Sequence, residues 1–415
     1  MFNSLISSFI EKESKLRYNF YKSYWETVME NSVKILFKKI YNLDYQEIYF
    51  SPGRINIIGG HTDYNGGNVL PFCIDMGIYA AVSIRSDSKV YVYSENIKDK
   101  GIISFDLSNL NYDLKRDFAN YISGAFKVLI DSGFKLDKGI NLALISNLPT
   151  GGGLSSSAAL LVLILTIMNN NFNLNLSKTD IALLAKKVEN DYIGVNCGIM
   201  DQFIIANGKK KHALYLNTVN LEYEEIKVSL DNYQFVLVNS NITRKLTESK
   251  YNERQIESQK LLHLLQEHIS INNVCDCSIN DFEKLVGYIQ DKTLRKRFEH
   301  LVFENHRVYQ AKEALKNNDF NALGRLLDKA HDSIKNLYEV SSDVLDELVI
   351  LAKEAGSLGS KMIGGGFGGS TLNIVKTVDL KDFQTEFAKL YRIKYKKEPV
   401  MQVVRIMDGV KKISD

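Results

Sequence analysis

The sequence predicts an α+β protein of two domains, and three observations support this prediction. A chain of 415 residues is longer than one hydrophobic core usually organises. Segments with strand and helix patterns alternate irregularly, without the strand-helix repeat of an α/β fold and without an internal repeat. Helical patterns become prominent past about residue 212. We therefore expect one domain over residues 1–212 and another over residues 213–415.

In the first half, β-branched and aromatic residues between turn residues predict strands over 48–58, 69–84, 89–93 and 141–146. Residues 1–45 carry apolar positions at helical spacing among many charges, which is typical of surface helices. A long apolar stretch predicts a buried helix over 157–168, and the Asn-rich residues 169–175 predict a loop. Ser177 and Asp180 have the spacing of a capping box, so another helix should follow.

In the second half, apolar periodicity predicts helices over 251–268, 294–316 and 343–355. Gly356 is a suitable C-cap for the last of them. Strands are expected over 235–239, 360–363 and 370–375, on either side of a glycine-rich segment in the latter two cases. The second half therefore combines long helices with a small sheet.

The composition argues against several classes of partner and setting. Lys and Arg number 52 against 49 Asp and Glu, a net charge of +3 with the signs interspersed, so we expect neither nucleic acid nor a membrane as a partner. The longest apolar run is shorter than the roughly 18 residues of a membrane span, and the N-terminal residues lack a secretion signal. Four scattered cysteines, without zinc spacing, favour a reducing cytoplasm and no structural zinc.

Half of the 26 glycines lie in three short segments, which we interpret as ligand-facing loops because glycine permits positive φ and close approach to the backbone. The second segment, Gly151–Ser157, joins a predicted strand to a predicted helix. Free N–H groups and serine hydroxyls at such a helix start can hold phosphates. A plain glycine turn with serine caps is the alternative interpretation. The pattern is not a Walker A loop, which occurs nowhere in the chain.

The third segment matches GxGxxG through Gly364, Gly366 and Gly369. A dinucleotide fingerprint needs a helix directly after it, whereas the residues that follow alternate like a strand. We therefore expect a hairpin-like glycine turn whose main chain lies close to a ligand or to another loop. A purely structural turn is the alternative.

The first segment, residues 51–67, places Arg, His, Thr, Asp and Asn side chains close to several glycines. Such polar side chains suit recognition of several sugar hydroxyls; a solvated loop is the alternative interpretation.

Asp201 lies in an otherwise apolar stretch, so it should be partly buried and paired with a cation such as Arg54. Glu189 could reach a phosphate-bound Mg²⁺, although a solvated helix charge is the commoner explanation of such a residue.

Taken together and in this order, the segments GRINIIGGHTDYNGGNVLP, PTGGGLSSSAA, CGIMDQF and GGGFGGS closely resemble the galactokinase family of GHMP small-molecule kinases. The resemblance spans most of the chain. It implies the two-domain GHMP kinase fold, with the active site in the cleft between the domains. It also implies MgATP-dependent phosphorylation of the anomeric C1 hydroxyl of galactose by a cytoplasmic protein that is a monomer or weak dimer.

The resemblance also implies roles for individual residues. Asp201 would accept the proton of the C1 hydroxyl, and Arg54 would stabilise charge on the transferred phosphoryl group and on Asp201. Mg²⁺ would be held by Ser157 and Glu189, with Ser156 as a competitor for the first position. The ATP contacts would come from Ser94, Gly151, Gly152, Gly153, Leu154, Ser155, Ser156 and Ser157. The sugar contacts would come from Gly60, His61, Thr62, Asp63 and Tyr251.

Two positions depart from the family pattern. Gly60 stands where the family carries a Glu that contacts the sugar's exocyclic hydroxymethyl end, so we hypothesise weaker discrimination against sugars altered at C6. Phe118 stands where a Trp is common in the family.

The alternatives to a galactose kinase are a kinase for N-acetylgalactosamine or arabinose, and a galactose sensor without catalysis. The intact His-Thr-Asp-Tyr-Asn run favours galactose, and the presence of Asp201 and Arg54 argues against a sensor.

Overall fold

The computed structural model describes residues 26–149, 151–240 and 247–413, and these form helices packed on three β-sheets. The helices are α1 (26–41), α2 (Ala119–Asp131), α3 (Ser156–Phe172), α4 (Lys178–Lys187), α5 (Met200–Asn207), α6 (Thr247–Gln266), α7 (Ile279–Leu285), α8 (Lys292–Lys316), α9 (Phe320–Ser333), α10 (Asp343–Glu354) and α11 (Leu380–Tyr395).

The strands divide among the three sheets. The largest sheet has the order β14-β1-β3-β6-β4-β5, with β13 also on β3; the second is β10-β11-β9-β12; and the third is β2-β7-β8. Their bounds are β1 (Glu47–Asn56), β2 (Asn68–Val69), β3 (Pro71–Ile84), β4 (Lys89–Ser94), β5 (Ile103–Asp106), β6 (Ile140–Ser146), β7 (His212–Asn217), β8 (Tyr223–Lys227), β9 (Tyr233–Asn239), β10 (Gly359–Ile363), β11 (Ser370–Lys376), β12 (Val400–Val404), β13 (Ile406–Met407) and β14 (Lys411–Ile413).

Helix α3 lies at the centre of the main core. Every residue from Ala158 to Met168 is buried, because α3 packs against β1 and β3 on one side and against α2, α4 and α5 on the other. A helix covered on both sides is apolar all round. This packing fixes the N-terminus of α3, where the second glycine segment ends.

A local irregularity in the large sheet brings the first glycine segment to the second. The antiparallel register of β1 and β3 shifts between Pro52 and Arg54, as at a β-bulge. A Cβ at Gly53 would lie 2.6 Å from the Leu148 side chain and 2.9 Å from the Leu154 carbonyl oxygen. Only glycine fits there, and the Arg54 N–H donates to that same carbonyl at 3.2 Å.

The structure confirms most of the predicted elements and corrects one. The capping box of Ser177 and Asp180 is present at the start of α4, and β10 and β11 form the antiparallel hairpin expected around the third glycine segment. The loop predicted over 169–175 is wrong in its first part, because α3 continues to Phe172 and ends at Asn173 in the left-handed conformation. Of the helices predicted over residues 1–45, the part before residue 26 lies outside the described residues.

The two halves of the chain share sheets. Strand β7 spans the predicted division at residues 212 and 213, and it pairs with β2 and β8. Strands β13 and β14, from the end of the described chain, pair with β3 and β1 in the large sheet. The domain limits therefore stay a prediction. Among the described residues, no helix has the length and apolar character to cross a membrane.

Candidate active site

A cavity of about 750 Å³ lies where the three glycine segments meet the start of α5. Most of the predicted site residues line it. They are Arg54, Gly60, His61, Asp63, Gly151, Gly152, Gly153, Leu154, Ser155, Ser156, Ser157, Glu189, Asp201 and Tyr251. Phe118, Ile334, Lys361, Gly364 and Gly365 are also among the lining residues.

Arg54 and Asp201 form a two-pronged ion pair in this cavity. Nε of Arg54 donates to Oδ1 of Asp201 at 2.7 Å, and Nη2 donates to Oδ2 at 2.8 Å. The third prong, Nη1, donates to the Gly153 carbonyl at 2.7 Å, and the Ser155 hydroxyl donates to Oδ2 of Asp201. The predicted pairing is confirmed, and it links β1, the glycine-serine loop and α5 in a fixed geometry.

The glycine-serine loop has the backbone of an anion cradle. Gly151, Gly153 and Ser155 have φ of 67°, 76° and 62°, and α3 begins at the next residue, Ser156. The positive end of a long, buried helix therefore faces the cavity through a loop of tightly turned main chain. The third glycine segment supports this loop, since the Ser370 hydroxyl donates to the Gly152 carbonyl at 2.9 Å.

Two predicted contact residues are not among those that line the cavity. Ser94 is buried at the end of β4. Thr62 is fully buried, and its hydroxyl donates to the carbonyls of Gly59 at 3.1 Å and Asn68 at 2.8 Å. Thr62 therefore holds the loop in shape, whereas its neighbours on either side line the cavity.

Glu189 and Ser157 lie side by side at the cavity wall. Glu189 follows α4 in a π-helical turn over Val188–Ile193 and is buried. Burial raises the pKa of its carboxyl, while hydrogen bonds from Ser157 and Gln202 oppose that rise. Ser156 is exposed. A carboxylate beside a hydroxyl is an oxygen donor set that suits a hard divalent cation. No group of three or more His, Cys, Asp or Glu side chains arranged for a metal occurs in the described parts of the chain.

A chain of hydrogen bonds anchors His61. Its Nδ1 lies 2.9 Å from the Tyr64 hydroxyl, which lies 2.8 Å from the Tyr338 hydroxyl, which lies 3.2 Å from Oγ of Ser258. Burial and neighbouring cations lower the pKa of His61 to about 3, so its ring is neutral. Its Nε2 is buried and has no hydrogen-bond partner among the described residues. A ligand hydroxyl would satisfy this nitrogen.

Asp63 lies at the same end of the cavity, in front of Gly198. A Cβ at Gly198 would lie 2.1 Å from Oδ2 of Asp63, so glycine makes room for the carboxylate. Burial raises the pKa of Asp63 to about 6, and the charge of Asp201 adds to the rise. The Tyr251 ring packs against Tyr64, with 5.4 Å between centroids. Asp63 and Tyr251 thus present polar groups to one part of the cavity.

Sequence reasoning missed the residues beneath the first glycine segment. Oε1 of Glu304 accepts from the N–H groups of Gly59 at 2.9 Å and Gly60 at 3.0 Å, and Nε2 of His300 lies 3.0 Å from the Gly60 carbonyl. Burial alone would raise the pKa of Glu304, but Arg307 and other cations lower it to about 2. His300 and Glu304 are four residues apart and share the inward face of α8 with Leu301. Helical spacing could therefore have marked them as buried, but not as partners of Gly60.

Comparisons with known proteins agree with this architecture. The galactokinase galactose-binding signature matches residues 35–84, the GHMP kinases N terminal domain matches 120–209, and the GHMP kinases C terminal domain matches 311–393. The galactokinase of Clostridium beijerinckii is 42% identical over 384 residues, which cover 92% of this chain and 99% of that protein. The galactokinase of Staphylococcus carnosus is 41% identical, covering 93% of this chain and 100% of that protein.

Solved structures show the same relationship. A crystal structure of Lactococcus lactis galactokinase complexed with galactose has a TM-score of 0.89 and 38% identity, covering 92% of this chain and 99% of that one. The mevalonate kinase of Methanococcus jannaschii shares the fold, with a TM-score of 0.63 at 18% identity, over 88% of this chain and 99% of that one.

An α+β fold with a glycine-serine loop at a buried helix N-terminus, bonded to an Arg-Asp pair in the same cavity, defines a GHMP-type small-molecule kinase. Such enzymes use ATP. Within that class, the extent of identity over more than nine-tenths of the chain is decisive. The chain belongs to the galactokinase family.

Proposed function

We infer that the protein transfers the γ-phosphoryl group of ATP to the C1 hydroxyl of galactose, giving galactose 1-phosphate and ADP. The observation that carries this inference is the ion pair of Arg54 and Asp201 in the cavity of a galactokinase-family chain. Phosphoryl transfer needs positioning and charge stabilisation more than covalent chemistry. One oriented carboxylate with a guanidinium beside it supplies both.

In this proposal Asp201 is the general base. The C1 hydroxyl lies within hydrogen-bond reach of a carboxylate oxygen, which takes the proton as the sugar oxygen bonds to the γ-phosphorus and the bond to the β-γ bridging oxygen breaks. Arg54 holds the carboxylate through Nε and Nη2 and places its positive charge beside the transferred group. Ser155 donates to Asp201, so the carboxylate is oriented before the sugar binds.

We propose that the loop over residues 151–157 holds the ATP phosphates and that Ser94, as the family resemblance implies, is a further nucleotide contact. The side-by-side oxygens of Glu189 and Ser157 support them as the residues that would hold Mg²⁺. When bound, Mg²⁺ neutralises charge that develops on the phosphate oxygens. Ser157 fits better than Ser156, because its hydroxyl already contacts Glu189.

We propose that His61, Asp63 and Tyr251 bind sugar hydroxyls and that Thr62 acts by shaping the loop between them. Gly60 has no side chain, so residue 60 offers the sugar no hydrogen-bond acceptor beyond its backbone. A Cβ at this position would lie 2.9 Å from Cδ1 of Ile334. The hypothesis of weaker discrimination against sugars altered at C6 follows from the missing side-chain acceptor. A cytoplasmic location is also part of the proposal, and the four free cysteines agree with it. A monomer or weak dimer is proposed from the family resemblance.

The test compares phosphate transfer from MgATP to galactose, 6-deoxygalactose, N-acetylgalactosamine, arabinose and glucose by the purified protein. We expect galactose to be the best substrate, with Asp201→Ala losing about 10²- to 10⁴-fold in kcat while galactose binding, measured by calorimetry, persists. Asp191→Ala is the matched control, because Asp191 is exposed.

Three results would contradict the proposal. Preference for N-acetylgalactosamine or arabinose would make the protein a kinase for that sugar. Galactose binding without turnover would make it a sensor. Normal turnover by Asp201→Ala would remove Asp201 from the role of base.

A further inference from the structure

Lys361 is a buried cation in the wall of the cavity, and the proposed reaction does not use it. It lies on β10, opposite Leu372 of β11, and its exposed fraction is 2%. It lines the cavity together with Gly60, His61 and Ile334. Its Nζ donates to the Met362 carbonyl at 3.0 Å, which leaves two of the three donor hydrogens of the ammonium for other partners.

The charges around Lys361 do not neutralise it. Among the described residues, no carboxylate oxygen lies within ion-pair distance, 4.0 Å, of its Nζ. The acid that acts on it most strongly is Glu304 of α8, whose Oε2 already pairs with Arg307 at 2.7 Å. Burial lowers the pKa of Lys361 to about 8; the charge of Glu304 opposes this, and that of Arg54 adds to it. Burying a cation without a partner is costly, so such a group is unusual unless a ligand pairs with it.

A second polar group in the same wall lacks a hydrogen-bond partner. Nε2 of His61 is buried without a hydrogen bond among the described residues, and the charge of Lys361 is one of the factors that lower the pKa of His61. Gly60 lines the same cavity and has no side chain that could bond to either group. A buried ammonium with two free donor hydrogens and a ring nitrogen without a partner form a binding site for a polar ligand.

Because Asp201 would hold the C1 hydroxyl in the proposed reaction, Lys361 would contact another hydroxyl of the sugar. If the reacting C1 hydroxyl lies at Asp201, the groups farthest across the ring are the C4 hydroxyl and the exocyclic C6 hydroxyl. We propose that Lys361 is a specificity-determining residue whose ammonium donates a hydrogen bond to a sugar hydroxyl other than the reacting one, either the C4 or the C6 hydroxyl. The proposal rests on the proposed function for the position of C1, and it gives the cavity wall that includes Gly60 a hydrogen-bond donor, although residue 60 has no side-chain acceptor.

The experiment measures dissociation constants by calorimetry for galactose, 4-deoxygalactose and 6-deoxygalactose, with the full chain and with Lys361→Met. We expect Lys361→Met to weaken galactose binding by roughly ten- to a hundredfold, the effect of one hydrogen bond to a charged group. With the deoxy sugar that lacks the partner hydroxyl, the same substitution should have little effect. The KM for ATP should not change.

The controls separate a sugar contact from a structural role. Lys361→Arg keeps the charge and should restore part of the affinity, and Lys312→Met removes a cation that pairs with Glu224 on another surface and should leave all three constants unchanged. If Lys361→Met fails to fold, Lys361→Gln takes its place. An unchanged galactose constant, or an equal loss for all three sugars, would overturn the proposal. If Lys361→Met weakens binding only of sugars that carry the partner hydroxyl, but the protein does not phosphorylate galactose, the proposed function would be overturned instead.

Discussion

The proposed phosphate end and the proposed sugar end of the cavity are lined by different kinds of groups. At the phosphate end, the lining is a run of glycines and serines in which Gly151, Gly153 and Ser155 have positive φ. At the sugar end, the lining side chains are already bonded to a buried network, from His61 through Tyr64 to Tyr338. A backbone cradle suits phosphates, which many ligands share. A fixed side-chain network suits a sugar, whose hydroxyls must be distinguished one by one.

The comparison predicts that damage beneath the sugar end affects the fold as well as binding. Glu304→Gln leaves Arg307 without its buried partner and weakens the acceptor for the Gly59 and Gly60 N–H groups. Breaking a buried ion pair costs about 3–5 kcal/mol, and we expect a loss of that order in the free energy of unfolding in urea. Glu313→Gln on the exposed side of the same helix is the control. Equal stability of the two variants would contradict a structural role for Glu304.

Two glycine substitutions should affect the two ends of the cavity independently, one changing the KM for galactose and the other the KM for ATP. Gly198→Ala puts a Cβ within 2.1 Å of Oδ2 of Asp63, which displaces a sugar-binding carboxylate and should raise the KM for galactose by roughly ten- to a hundredfold. Gly153→Ala forces alanine to a φ of 76°, at a cost of about 1–2 kcal/mol, and should raise mainly the KM for ATP. Steady-state kinetics with each substrate varied in turn would show this. Parallel changes in both constants in either variant would mean that the two ends are not independent.

The affinity for galactose should fall at acidic pH because Asp63 becomes protonated, and we call this fall the acid limb. Because burial and Asp201 raise its pKa to about 6, Asp63 is ionised above that pH and accepts hydrogen bonds from the sugar, and it becomes protonated as the pH falls through 6. The galactose dissociation constant should therefore rise by about tenfold per pH unit well below 6. Calorimetric titrations between neutral and mildly acidic pH would measure it. Asp63→Asn should bind more weakly at neutral pH, without this limb; the same limb in that variant would assign it to another group.

The smallest effect should come from the far end of the network. Tyr338→Phe removes the hydroxyl that joins Tyr64 to Ser258, and we expect a loss of about 1 kcal/mol in stability with a slight rise in the galactose KM. Tyr288→Phe is the control, since Tyr288 is 62% exposed. Thermal unfolding of both variants would decide. A stability loss as large as that of Glu304→Gln would mean that the hydroxyl network, rather than the ion pair, holds this end together.

Local signals were enough to predict the glycine-serine loop and the buried helix that follows it. Three glycines, three serines and a long apolar helix are contiguous in sequence, and the structure keeps them contiguous in space. The pairing of Arg54 with Asp201 was also predictable, because a carboxylate in an apolar stretch needs a cation and the first segment supplies one. The hairpin at the third segment followed from the alternating residues after Gly369.

The supports of the sugar end could not be predicted in the same way. Glu304 is separated from Gly60 by more than half the chain, and nothing in its neighbours marks it as an acceptor for that backbone. Nothing in the sequence around Lys361 distinguishes it from other lysines in strands, and only the structure shows that β10 places it in the cavity wall. The loop prediction for the Asn-rich residues 169–175 was wrong in its first part for a different reason. Tertiary packing of α3 extends the helix to Phe172, through residues of low helix propensity.

The return of the last strands to the large sheet has a consequence for synthesis. Ile48, Tyr49 and Phe50 of β1 pair with residues 413, 412 and 411, so this edge of the sheet is completed only after a segment far downstream in the sequence has been synthesised. Until then β1 presents unpaired backbone groups to other chains. Slow translation of the second half would therefore prolong a state prone to aggregation, and removal of residues 406–413 would damage the half of the molecule that is made first.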